Sequence, residues 1–119
     1  QASAVIIASP GYHGSISGLV KNALDLLEET ARDETRPYLA DMPVGLIATA
    51  YGWQATGSTI AALRSIVHAL RGWPTPFAAA NNSQVTKFDD AGGASDPAVV
   101  EQLRLIGRQV ARFAPLTQD

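Results

Sequence analysis

The sequence predicts an α/β chain, β-α-β-α-β-α in order, around an open, doubly wound parallel sheet, and three observations predict it. Two unbroken apolar runs, residues 4–8 and 42–50, lack polar alternation, as strands covered on both faces do. Each run is followed by a stretch whose apolar residues recur at helical spacing. Between run and helix lies, both times, a short segment rich in glycine, aromatic and hydroxyl residues. Parallel strands joined through helices place these segments side by side at the carboxyl edge of the sheet, where open α/β sheets seat their ligands.

The first strand is expected over Ala4, Val5, Ile6, Ile7 and Ala8. After it comes Ser9-Pro10-Gly11-Tyr12-His13-Gly14-Ser15, read as a strand-to-helix turn and a binding loop. Pro10 fixes one φ and lacks an N–H, while Gly11 and Gly14 open backbone angles closed to other residues, freeing nearby amides to point at acceptors. Tyr12 and His13 add flat surfaces, and Ser15 and Ser17 can cap the next helix. A flat, acceptor-rich ring suits such a surface. The helix is expected to reach about residue 30, with Leu19, Val20, Ala23, Leu24 and Leu27 toward the core and Lys21, Asn22, Asp25, Glu28 and Glu29 opposite.

Residues 31–41 are charged and polar, a solvated helix end and loop. The second strand, 42–50, carries Pro43 near its start, where a missing donor costs least. Residues 51–58 then repeat the first loop's design with Tyr51, Gly52 and Trp53. A helix is expected from about 58 to 71, with Ile60, Leu63, Val67 and Leu70 on one face and His68 away from it as a surface histidine. Gly72 ends that helix and Trp73-Pro74-Thr75-Pro76 bars its continuation. A weaker strand is expected at 77–80, then a polar segment over 81–95. Asp96 as N-cap and Pro97 open a closing helix whose core face is Val99, Leu103, Ile106, Val110 and Phe113, stopped by Pro115.

With 119 residues, 46% of them apolar and 17% charged, residues 1–119 read as a single domain able to bury a core. A net charge of −2, with no striping of basic residues, gives no reason to expect nucleic acid, and no apolar run approaches the ~18 residues a membrane span needs. Cysteine is absent, which excludes disulfides and thiolate chemistry and fits a cytoplasmic location. The first strand starts within three residues of Gln1, and as a sheet edge it would expose apolar side chains and unpaired backbone. The expectation is that these residues are the carboxyl part of a larger domain whose first strands pair with residues 4–8.

Neither a Gly-x-Gly-x-x-Gly fingerprint nor a nucleotide P-loop follows any strand. In Gly14-Ser15-Ile16-Ser17-Gly18 the serines stand at the wrong offsets for a nucleophile elbow. His13 and His68 have no carboxylate at ligand spacing, so no metal site is expected, and Asp89-Asp90 reads as a solvated loop. What remains is binding through backbone amides and aromatic faces, the mark of a site whose cofactor brings its own chemistry; no catalytic side chain is expected.

The first loop and Ser17-Gly18-Leu19-Val20-Lys21-Asn22-Ala23-Leu24-Asp25 resemble the signature of the NADPH-dependent FMN reductase family, usually Pro-Glu-Tyr-Asn-x-Ser-x-Pro-Gly-x-Leu-Lys-Asn-Ala-Leu-Asp. The likeness continues through the Gly-rich turn from Gly52 to Ser58 and Leu63-Arg64, and residues 83–90 resemble the subgroup that feeds two-component monooxygenases. It covers essentially the whole chain, without the family's N-terminal third and its phosphate loop. The resemblance implies a flavodoxin-like fold of strand order 2-1-3-4-5, of which this chain supplies the third to fifth strands. It also implies FMN and NADPH (or NADH) as cofactors, hydride transfer from nicotinamide to flavin, and a homodimer or homotetramer. Ser9, Pro10, Gly11, Tyr12, His13, Gly14, Ser15, Tyr51, Gly52 and Trp53 would then be the cofactor-binding residues. Gly11 stands where the family usually has Glu and His13 where it has Asn, so the ring's hydrogen bonds would come from backbone and imidazole. A quinone or azo reductase, or a flavodoxin-type electron carrier, is the alternative.

Overall fold

A computed structural model describes residues 2–114. Its elements are β1 (Val5–Tyr12), β2 (Ser15–Ile16), α1 (Gly18–Asp25) with a 3-10 turn at Leu26–Thr30, β3 (Pro43–Ala50), α2 (Trp53–Ala69), β4 (Trp73–Asn82) and α3 (Pro97–Phe113). The four strands form one sheet in the order β2-β1-β3-β4. β1, β3 and β4 are parallel, and only the two-residue β2 runs antiparallel. The expected α/β architecture is present, with β2 as an added strand.

The side-chain period of two assigns the faces. Val44 and Leu46 of β3 pack with Ile7, Leu24, Leu63 and Val67 in a core shared by α1 and α2. The alternate residue Ile47 lies on the other face with Ala79, Ile106 and Val110, beneath α3. Leu46, Leu63 and Ile106 are fully buried, each worth roughly 1.5–3 kcal/mol of transfer free energy. Gly45 lets α3 close on the sheet: a Cβ there would stand 2.6 Å from Ile106 Cγ2 and 2.9 Å from Val110 Cγ2. No helix among the described residues is long and apolar enough to cross a membrane.

Several expectations change. β1 does not end at residue 8 but runs to Tyr12, because its parallel pairing with β3 continues through Ser9↔Ala48 and Pro10↔Thr49 and its last two residues pair with β2. The expected turn becomes a hairpin, Gly11↔Ile16 and Tyr12↔Ser15, around His13 and Gly14. Among the described residues, β1 is paired on its outer side only at Gly11 and Tyr12, and Ile6 is half-exposed. α1 is rolled relative to the expected face: Leu24 is buried and Val20 and Leu27 are half-buried, whereas Leu19 and Ala23 are exposed.

The helix expected from 58 starts five residues earlier, at Trp53, so most of the expected second loop is helical. Thr56 is buried there, its hydroxyl donating to Trp53 O at 2.7 Å, and the helix tolerates Gly57. The strand expected at 77–80 spans ten residues instead, with Pro74 and Pro76 inside it. Both prolines fall where the register jumps, Val44 opposite Pro74 but Leu46 opposite Ala78, on a strand that has no neighbour beyond it among the described residues. Arg64 of α2 holds this irregular stretch through Thr75 O and Pro76 O at 3.0 and 2.9 Å. The closing helix begins as expected, Asp96 Oδ1 accepting from Ala98 N at 2.9 Å with Pro97 at its start. Val99, Ile106 and Val110 are buried and Leu103 and Phe113 half-buried; Pro115 lies outside the described residues.

Candidate functional site

The first loop is a two-residue hairpin. His13 and Gly14 both have positive φ, 52° and 88°, which is the backbone of a type I′ turn and agrees with the right-handed twist of the flanking strands. Gly14 adopts this freely. His13 is held there against a steric cost, a pattern that clusters at ligand-binding loops. Tyr12 is 59% exposed although it stands on a strand, and a Cβ at Gly14 would meet nothing within 4 Å, so the crest of the hairpin is open.

The base of the hairpin is closed. Ser9 is 2% exposed; its hydroxyl donates to Pro10 O at 2.8 Å and accepts from Ser17 N at 3.1 Å. Ser17 in turn caps α1, its Oγ accepting from Val20 N at 3.1 Å. Ser15, the other expected cap, makes no such bond to α1 and is exposed. Gly11 faces the neighbouring helix, where a Cβ would stand 2.5 Å from Thr59 Oγ1, 3.1 Å from Ala50 Cβ and 3.3 Å from Ala55 O.

The second loop is short, Tyr51 and Gly52. Gly52 caps α2 with φ 128°, a conformation that side chains resist, and a Cβ there would also meet nothing within 4 Å. Tyr51 and Trp53 are 77% and 60% exposed. The first backbone bond of α2 is Thr56 N to Gly52 O at 3.3 Å, so the amides of Trp53, Gln54 and Ala55 come before it. With no acidic residue in that turn, the amino end of α2 keeps its positive character. Because β1 and β3 are adjacent and parallel, the two loops leave the same sheet edge.

A third segment joins them there. Ser83 N donates to Ala50 O at 2.9 Å, tying the chain after β4 to the end of β3. Beside it Asn81 Nδ2 donates to Thr49 Oγ1 at 2.9 Å, while Asn81 Oδ1 is buried without a partner among the described residues. Asp89 folds its own turn, its Oδ1 accepting from Ala91 N and Gly93 N, and no cluster of metal-ligating residues occurs among the described residues. His68 is exposed on α2, as expected.

The edge thus presents open glycine crests, exposed aromatic rings and helix amides, a donor set that fits a flat heteroaromatic ring with oxygen acceptors. Thr59 and Asn81 were not singled out by sequence reasoning. For Thr59 the available signal was a hydroxyl at the second helical turn after the glycine loop, on the buried face beside Leu63.

Residues 1–86 match the model of the NADPH-dependent FMN reductase family. The FMN-dependent NADPH-azoreductase of Staphylococcus haemolyticus is 36% identical over 90 residues, 75% of this chain and 44% of that protein. The enzyme of the same name from Staphylococcus aureus strain USA300 is 37% identical over the same shares. The chain spans less than half the length of these curated relatives. Among solved structures, an oxidoreductase from Corynebacterium diphtheriae superposes with a TM-score of 0.67 at 23% identity, over 98% of this chain and 56% of that one. An NADH:FMN oxidoreductase in its apo form gives 0.64 at 23% identity, over 95% and 52%. The flavodoxin-like fold therefore extends over α3, beyond the residues the family model matches. On the family match and these relatives, the chain belongs to the NADPH-dependent FMN reductase family.

Proposed function

We propose that this chain carries the ring-binding loops of an NAD(P)H-dependent FMN oxidoreductase. The observation that carries the reading is the pairing of two aromatic-bearing loops at the ends of adjacent parallel strands, with Tyr12, Tyr51 and Trp53 all exposed and the glycine crests open. FMN supplies the chemistry when bound, accepting a hydride from the nicotinamide. Pro10, Tyr12, His13, Gly14 and Ser15 line one side of the ring, and Tyr51, Gly52 and Trp53 the other. Ser9 and Gly11 act from below, holding the hairpin in place. The amide donors of the two turns favour negative charge on the ring. The protein's part is to hold two flat rings face to face.

The outer edge of β1 over residues 5–10, unpaired among the described residues, supports reading this chain as the carboxyl part of a larger flavodoxin-like domain. Exposed Leu19 and Trp73 support assembly as a homodimer or homotetramer. The names of the staphylococcal relatives favour an azo compound as electron acceptor. The likeness of residues 83–90 favours release of reduced FMN to a monooxygenase partner. Titration of the full-length protein with FMN, followed by NADPH oxidation with and without an azo dye, tests both. Failure to bind FMN at micromolar concentration refutes the reading; dye reduction that stops when free FMN is removed favours release.

A further inference from the structure

We infer that Thr59, acting through Gly11, is the positioning residue that sets the first loop against the second; the inference rests on the flavin reading above. Thr59 is fully buried in α2, two turns after Trp53 opens that helix. Its hydroxyl donates to Ala55 O at 2.8 Å, and Ser15 O stands 3.4 Å away as a more distant acceptor. It is therefore packed under both ends of the hairpin, Gly11 on the incoming strand and Ser15 on the outgoing one.

The contact is steric before it is polar. At 2.5 Å from Thr59 Oγ1, a Cβ on residue 11 would overlap the hydroxyl, and Ala50 Cβ and Ala55 O leave little room on the other sides. Any side chain at 11 must push the hairpin off α2, and any enlargement of residue 59 does the same. The α2 backbone that carries Thr59 also carries Gly52 and Trp53 of the second loop. The rigid helix thus acts as a gauge: the gap between Tyr12 and Trp53 is set by the Thr59 hydroxyl against Gly11. A displacement of about 1 Å in such a gap is enough to cost on the order of a hundredfold in a reaction that needs aligned partners.

The test uses the full-length protein and reads FMN affinity by quenching of flavin fluorescence, with the melting temperature of the FMN-free protein alongside. Gly11→Ala is expected to weaken FMN binding by about tenfold or more, since the overlap moves the hairpin. Thr59→Ala removes the clashing atom, so Gly11→Ala/Thr59→Ala should bind FMN within about threefold of Thr59→Ala alone, a loss of the Gly11→Ala effect that general destabilisation cannot produce. Thr59→Ser, which keeps the hydroxyl, should match the wild type. Thr59→Val, with a methyl group in place of the hydroxyl, should weaken FMN several-fold at a melting temperature close to wild type, a split that a merely structural role would not give. Wild-type affinity in Gly11→Ala, or a double variant as weak as Gly11→Ala, overturns the inference and leaves the flavin reading standing. A wild-type protein that binds no FMN overturns both.

Discussion

Ser9 Oγ lies 3.1 Å from the backbone nitrogen of Ser17, across eight residues of chain, and both serines are buried. This bond closes the base of the hairpin and joins β1 to the cap of α1. Ser9→Ala leaves the Ser17 amide buried without its acceptor, so a loss of about 1–3 kcal/mol in urea unfolding is expected. FMN affinity should fall with it, because the same bond shapes the ring-binding loop.

The turn residues at the crest should respond in opposite directions. Gly14→Ala forces a side chain into φ 88° and should destabilise by about 1–2 kcal/mol. His13→Gly relieves φ 52° and should stabilise by up to about 1 kcal/mol while weakening FMN binding. Chemical denaturation and fluorescence titration of the two variants check this.

Tyr51 and Trp53 are too exposed to support the core. Tyr51→Ala and Trp53→Ala should leave the melting temperature within a few degrees, yet each should weaken FMN by about threefold to tenfold through lost stacking. Equal losses in stability and affinity would place these rings in packing instead.

Gly45 is a packing glycine. Gly45→Ala should destabilise by roughly 1–3 kcal/mol, through overlap with Ile106 and Val110, and Gly45→Ala/Ile106→Ala should cost less than the sum of its two single substitutions, because Ile106→Ala removes the Cγ2 that the new Cβ would meet. Thermal melts of the double variant and both singles read the coupling.

Tyr38 hydrogen-bonds Glu28 Oε2 at 3.0 Å, and this bond, with some desolvation, raises the phenol above its ordinary value of 10.0 despite the nearby Arg71. A raised folded value means stability fully present below pH 10.0 that is lost as pH climbs through the folded value. Spectrophotometric titration, with Tyr38→Phe to identify the signal, should show the Tyr38 phenol ionising above pH 10.0, and Glu28→Gln should bring it earlier.

The apolar runs were legible as strands because short continuous apolar stretches have few alternatives, although only β3 is covered on both faces, Ile6 and Ala8 of β1 being exposed, and Asp96-Pro97 announced α3 through local capping chemistry that needs no tertiary partner. Element ends were not legible where pairing decides them. Tyr12 is strand because the hairpin returns Ser15 of β2 beside it, and Trp53 is helix because Gly52 caps it and nothing in the next turn objects. β4 persists through two prolines only because it is an edge with a register jump.

The sequence by itself determined the order of strands and helices, the two glycine-aromatic loops and the family likeness, since periodicity, turn chemistry and motif are local properties of the chain. Tertiary structure alone decided that Ser9 faces inward and that Gly11 lies against Thr59. These depend on contacts between residues 8 and 48 positions apart, and such distances in the chain are closed by packing, which no local pattern encodes.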